Sequence, residues 1–216
     1  MKRKIPNFFN SITPIVSFKG KRVLEIGCGE GVRSRQIANL CRKLIAIDSD
    51  ATAIEKAKTL NPASNIQYLF GSAVKLNFPA SAFDMVIFTF SFHHVPINRM
   101  KRALSEAIRV MKPRGFLIFI EPDFAGTFYE SQRLLCGSKD DERAKKARAY
   151  FEILNCSKIQ EVDEIRETTV FHFDSVDEYF ASNHKVVASR NKVKQFLEAH
   201  RYILTADRRV NVLRKF

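Results

Sequence analysis

A chain of 216 residues with 45% apolar content can bury one sizeable core and is too short to hold a second catalytic domain beside it. Its 36 Lys and Arg against 23 Asp and Glu leave a formal net charge of +13, which favours a polyanionic partner such as RNA, an anionic membrane surface or an acidic small substrate, although a merely solubilising basic surface explains it equally well. No apolar run approaches transmembrane length, and Cys28, Cys41, Cys136 and Cys156 are scattered without a Cys-x-x-Cys pair, so disulfide staples are disfavoured and a reducing, cytoplasmic setting is expected.

The basic start Lys2-Arg3-Lys4 runs into Pro6, Asn7, Asn10 and Pro14, which breaks any signal-peptide pattern. Residues 1–20 are expected to form an N-terminal cap, with a lid or cofactor-covering helix around Phe8, Phe9 and Ile12. Val23 to Ile26 then reads as a buried strand that empties into glycines at 27, 29 and 31 before a helical pattern over 33–41. Glycines there permit positive φ and let a ligand approach backbone amides at a helix start. A dinucleotide fingerprint would need glycine at position 32, which is Val32.

Leu44 to Ile47 is a second strand ending at Asp48, roughly twenty residues past the glycines, where a carboxylate can accept both hydroxyls of a ribose. Ser49 or Asp50 suits the N-cap of the Ala51–Leu60 helix better than Asp48 does. Ile66–Phe70 is a third strand, followed by Gly71-Ser72-Ala73, and Phe83–Phe90 is a fourth, followed by Ser91-Phe92-His93-His94-Val95-Pro96. Adjacent histidines are expected to point apart, and no third ligand stands at a supporting spacing, so no metal is expected. One of the two is read as a packed turn residue and the other as a general base or substrate contact.

An amphipathic helix over 98–111 stops at Lys112-Pro113-Arg114-Gly115, and a fifth strand over 116–120 closes with Glu121-Pro122. From Asp123 to about Cys156, aromatics flank a charged run from Lys139 to Arg148, and two or three helices inserted over the ligand cleft are expected. Glu164–Phe173 reads as strand six, 175–181 as a short capped helix, 187–200 as a long helix and Arg209–Phe216 as strand seven.

Glu25 followed by Gly-x-Gly-x-Gly, the acid at 48 and the Phe-Asp strand leading to His-His-Val resemble the motifs of class I S-adenosylmethionine (SAM) methyltransferases, specifically the methyltransferase type 11 group of quinone-biosynthesis and small-molecule enzymes. The resemblance implies an α/β, Rossmann-like seven-stranded mixed sheet of order 3-2-1-4-5-7-6, with strand seven antiparallel, helices on both faces and a helical insertion after strand five. The whole chain would be one methyltransferase domain, with 124–160 and 174–185 as helical substrate covers. It further implies that Glu25, Gly27, Cys28, Gly29 and Gly31 hold the methionine part of SAM, Asp48 and Ser49 the ribose, Ser72 and Ala73 the adenine, and Thr89 and Phe90 the methionine side. Ser72 departs from the aspartate usual at that place. Phe92, Phe124, Phe128 and Tyr129 are candidate contacts for an apolar or aromatic small-molecule acceptor. His93, His94 and Glu121 are candidate bases, with Tyr129 and His172 as outsiders. An RNA methyltransferase, suggested by the charge, and a SAM-binding non-catalytic scaffold are the alternatives, and no feature specifies an oligomeric state.

Overall fold

The computed structural model describes residues 9–136, 142–183 and 185–216, so Phe8 and the start of the expected cap, and Lys139 of the charged run, lie outside the described residues. In chain order the elements are β1 (Arg22–Ile26), α1 (Ser34–Ala38), β2 (Lys43–Asp48), α2 (Ala51–Leu60), β3 (Ile66–Phe70), β4 (Phe83–Thr89), α3 (Met100–Val110), β5 (Met111–Pro122), α4 (Thr127–Leu135), α5 (Arg143–Leu154), β6 (Ile159–His172), α6 (Val176–Ser182), α7 (Arg190–Ala199) and β7 (Ile203–Lys215). The seven strands form one sheet, β3-β2-β1-β4-β5-β7-β6. β1 to β5 are parallel, and β7 runs antiparallel to both β5 and β6.

Alternation along the strands divides the apolar side chains between two faces. Leu24, Ile45, Val86, Phe88 and Phe119 pack with Ala103, Leu104 and Ala107 of α3 and with Ile153 of α5. Their neighbours Val23, Leu44, Met85, Ile87 and Ile118 pack on the other side with Ile37 of α1 and Ile54 of α2. A third cluster joins α4, α6 and α7 through Leu135, Tyr179, Val193 and Leu197. The inserted helices therefore separate, α4 siding with α6 and α7 while α5 returns to α3.

Several boundaries differ from the sequence reading. In the described part of the cap, Phe9, Ile12, Val16 and Phe18 are buried in the second cluster, with the Phe9 and Phe18 rings edge to face at 5.8 Å. The turn expected at 112–115 is a bulge within β5, opposite a register shift in β4 between Phe83 and Met85. Asp84 holds that bulge, accepting from the Arg22 amide at 2.8 Å and pairing with Lys112 at 2.8 Å. Residues 159–160, expected in a cover segment, already belong to β6, and β7 begins at Ile203 rather than at Arg209. Arg208 and Arg209 are buried strand residues: Arg208 pairs with Glu167 across β6, and the Arg209 guanidinium lies 3.3 Å from the centre of the Tyr150 ring.

α3 is tied to the loop after β3 by one charged pair. Glu106 accepts from the Leu76 amide at 2.8 Å and from Arg109, whose guanidinium also donates to the carbonyls of Leu76 and Phe78. The Arg109 hydrogen bond, with the amide and nearby positive charge adding to it, lowers the Glu106 pKa from 4.5 to about 2. A carboxyl whose folded pKa is depressed stabilises the fold above its unfolded value and loses that contribution as pH falls. Urea unfolding of the protein and its Glu106→Gln variant should therefore differ by a constant amount near neutral pH. The difference should shrink as pH falls from about 4.5 toward 2.

Candidate functional site

The end of β2 organises the turn that leaves β1. Gly27 and Cys28 both donate their amides to the Ile47 carbonyl, at 2.8 and 3.0 Å, and the Gly29 amide donates to Asp48 Oδ2 at 2.7 Å. The three glycines sit at φ of +80°, +52° and +79° for 27, 29 and 31, a region that L side chains occupy at a cost. Their surroundings differ. A Cβ on Gly27 would lie 2.2 Å from Ser91 Cβ, and one on Gly31 would lie 2.6 Å from the Tyr68 hydroxyl, whereas one on Gly29 would meet nothing within 4 Å. Gly27 and Gly31 are small because protein fills the space beside them, and Gly29 faces an opening.

That opening is a cavity of about 550 Å³ over the carboxyl ends of β1, β2 and β4. Gly27, Cys28, Gly29, Asp48, Ser49, Ser72, Ala73, Thr89, Phe90 and His94 all line it. Residues 27 to 94 of the sequence reading are thus brought together at the sheet position where parallel α/β folds place ligands. Asp48 Oδ1 also accepts from the Asp50 amide at 2.9 Å, and Asp50, not Asp48, caps α2. Each Asp48 oxygen keeps a further lone pair for a ligand.

Not every expected cofactor contact reaches the cavity. Gly31 packs against Tyr68, and Glu25, 0% exposed, lies beneath the turn. Glu25 Oε2 accepts from Ser34 Oγ at 2.5 Å at the start of α1. Burial raises its pKa, against lowering by the Ser34 hydrogen bond and the Arg33 charge. Thr89 on the neighbouring strand is buried with it, and its hydroxyl adds to that lowering. Burial also pushes the Cys28 thiol up, which disfavours the thiolate form, and Cys28 lies in the cavity wall.

β4 leaves the sheet through Phe90 at φ +53°, with its amide bonded to the Ile120 carbonyl and its ring under the Arg33 guanidinium at 4.5 Å. A 3₁₀ turn over Phe92–His94 follows. Phe92, expected at the substrate, is a core residue packed edge-on to Phe88 and tilted against Phe119, with ring centres 5.1 and 5.0 Å away. Glu121 at the end of β5 is buried: Oε1 accepts from the amides of Ser91 and Phe92, and Oε2 bonds His93 Nδ1. His93 is only 3% exposed, so this pair fixes the turn, while the exposed His94 carries an imidazole to the cavity. Loss of water on the side of the His94 ring that faces the turn, then the His93 charge, lowers its pKa although the side chain stays 59% exposed. The two rings do not point apart as expected; the tight turn sets their centres 4.0 Å from each other.

Phe124 and Tyr129 line a second cavity, between α4 and α5, with Glu130, Arg133 and Arg143. Phe128 does not reach it and packs against Phe171 and Phe173. His172 ends the edge strand β6 and lines neither cavity. Sequence reasoning missed Ser91, whose hydroxyl donates to the Ile26 carbonyl at 2.5 Å, and the two cations Arg33 and Arg99 in the cavity wall. A basic residue just past the glycines was the available signal for Arg33.

Residues 24–119 match the family model described as a methyltransferase domain, Methyltransf_11. The demethylmenaquinone methyltransferase of Renibacterium salmoninarum is 33% identical over 102 residues, 47% of this chain and 41% of that protein. The ubiquinone/menaquinone biosynthesis C-methyltransferase UbiE of Rickettsia massiliae is 33% identical over 121 residues, 55% of this chain and 47% of its own. The matches thus span less than half of either relative. A crystal structure from Bacillus halodurans C-125 superposes at a TM-score of 0.66 with 18% identity, covering 95% of this chain and 96% of that one, a likeness of fold.

The glycine geometry predicts two different outcomes for one substitution. Gly27→Ala must strain a positive φ and displace Ser91, and it should cost more than about 3 kcal/mol in urea unfolding, part of it recovered in a Gly27→Ala/Ser91→Gly double variant. Gly29→Ala meets only the φ cost, roughly 1–2 kcal/mol, and should fold.

Proposed function

Because residues 24–119 carry a methyltransferase domain of the class I, type 11 kind, we propose that this protein transfers a methyl group from SAM to an apolar or aromatic small molecule by in-line displacement. The observation that carries this reading is the junction of Gly29 and Asp48 on the cavity floor: a glycine with open space in front of it and a carboxylate with lone pairs to spare, 2.7 Å apart. A ribose diol needs paired acceptors, and a neighbouring glycine lets the sugar approach the backbone.

The remaining walls suit the other parts of SAM. Ser72 and Ala73 would take the adenine edge, with the serine hydroxyl replacing a carboxylate as acceptor. Thr89 and Phe90 would bound the methionine end, where the guanidinium of Arg33 supplies a counter-charge for a carboxylate. Glu25 acts indirectly, holding Ser34 and the start of α1 against the turn. SAM itself supplies the electrophilic methyl, so the chain's work is to align the acceptor and exclude water.

For a hydroxyl or amine acceptor, His94 is the base of this reading, because its imidazole lines the cavity. Glu121 and His93 are positioning residues that hold the turn carrying it. Phe124 and Tyr129, in the cavity between α4 and α5, are the acceptor contacts of this reading, and Phe92 and Phe128 support the scaffold. Four cysteines scattered without a Cys-x-x-Cys pair suit a reducing compartment, and we place the protein in the cytoplasm. No helix among the described residues is long and apolar enough to cross a membrane.

Two measurements test the proposal. Calorimetry with S-adenosylhomocysteine should show one site, and Asp48→Ala should weaken it by about 1.5–3 kcal/mol because charge-assisted hydrogen bonds are lost. Incubation with methyl-labelled SAM should then label a lipid and quinol extract and leave RNA unlabelled. Label in RNA, with an affinity falling steeply with salt, would favour the nucleic-acid alternative suggested by the +13 charge. Binding without any transfer would favour a scaffold.

A further inference from the structure

Three side chains on two different elements converge at the edge of the cofactor cavity. His93 and His94 come from the 3₁₀ turn after β4, and Glu142 is the N-cap residue just before α5. His93 Nε2 lies 3.8 Å from Glu142 Oε2, and His94 Nδ1 lies 3.8 Å from Glu142 Oε1. One ligating atom from each of the three falls within 4.8 Å of the others. Tetrahedral ligands held ~2.0–2.1 Å from a zinc ion stand roughly 3.3 Å apart, so the cluster needs to close by less than about 1.5 Å to enclose one.

We propose that His93, His94 and Glu142 form a site for a divalent first-row transition ion of the zinc class, which clips the start of α5 to the turn that carries His94. Two imidazoles and one carboxylate are the donor set such ions favour, and three protein ligands leave a coordination position for water or a substrate oxygen. The outer contacts have the form such sites use. Glu121, bonded at His93 Nδ1, fixes the ring so that Nε2 faces Glu142, and Glu121 is itself held by the Ser91 and Phe92 amides. His94 and Glu142 are accessible enough to admit an ion from solvent, with side chains 59% and 26% exposed.

The charges around the cluster set the strength expected. Glu121 and Glu142 favour a cation, while Lys146, whose ammonium is 3.8 Å from Glu142 Oε2, and Lys145, which acts on His94, oppose it. Binding should accordingly be micromolar rather than nanomolar. The site does not rest on the methyl-transfer reading, because its three ligands would bind an ion whether or not SAM fills the neighbouring cavity, but a bound ion removes His94 as that reading's base, since a ring coordinated through Nδ1 carries its proton on Nε2. Its consequence is mechanical: an occupied site joins the helical cover to the exit of β4, so metal should raise the melting temperature of the full chain.

The test uses the full chain and cobalt(II), whose visible absorption reports coordination, followed by displacement with zinc(II). One equivalent of cobalt should give a tetrahedral or five-coordinate spectrum, and zinc should bleach it and raise the melting temperature. His94→Ala and Glu142→Gln should each weaken binding at least about tenfold and abolish the metal-dependent shift in melting. Calorimetry with S-adenosylhomocysteine on Glu142→Gln serves as the folding control, with affinity expected unchanged, because Glu142 does not line the cofactor cavity. Absence of any cobalt spectrum at millimolar metal would overturn the proposal, as would binding that both variants leave intact.

Discussion

One strand end governs this molecule. The last two residues of β2 receive the chain as it leaves β1, Ile47 through its carbonyl and Asp48 through its carboxylate, and the Asp48 carbonyl also takes the Gly71 amide at 2.9 Å where β3 ends. Three strand exits are therefore fixed to each other by hydrogen bonds from groups that parallel pairing would otherwise leave unmet. Glycine at 27 and 29 lets the backbone take positive φ without a Cβ clash, and those bonds select that path among the ones glycine allows. The cavity is the space left in front of that junction.

Beneath the cavity floor lies a layer of buried acids that touch backbone and hydroxyl groups. Glu25 secures α1 through Ser34, and Glu121 secures the turn after β4 through two amides and His93. Carboxylates so enclosed are costly unless hydrogen-bonded, and their bonds tie irregular segments on which ligand contacts stand. Residues in the cavity wall are then mostly glycines, small polar groups and aromatic edges. The division suits transfer chemistry in which the donor molecule is already activated and the protein contributes alignment.

How much of this was legible follows from which signals burial leaves visible. β1 to β4 and α2 stand within a residue or so of their expected places, because the runs of β1, β2, β3 and α2 end in glycine, aspartate or asparagine and that of β4 is continuously apolar from Met85 to Phe88. β7 begins at Ile203, before the expected Arg209, because the two arginines inside it interrupt the apolar pattern and only the fold reveals Glu167 and Tyr150 as their partners. Phe92 looked like a ligand contact because it follows a strand end, yet the 3₁₀ turn swings it into the stack of Phe88 and Phe119. The glycine spacing found the loop but could not separate Gly29, which faces space, from Gly31, which faces Tyr68. Glu142 was invisible beside the histidines because it is far from them in the chain and is delivered by a helix.

The most direct measurement is a crystal structure of the protein soaked with S-adenosylhomocysteine. The account predicts that the nucleoside lies over Gly29 with its ribose hydroxyls on Asp48 and its amino-acid end toward Thr89 and Phe90. A nucleoside bound elsewhere, or a cavity that stays free of it at saturating concentration, would contradict it.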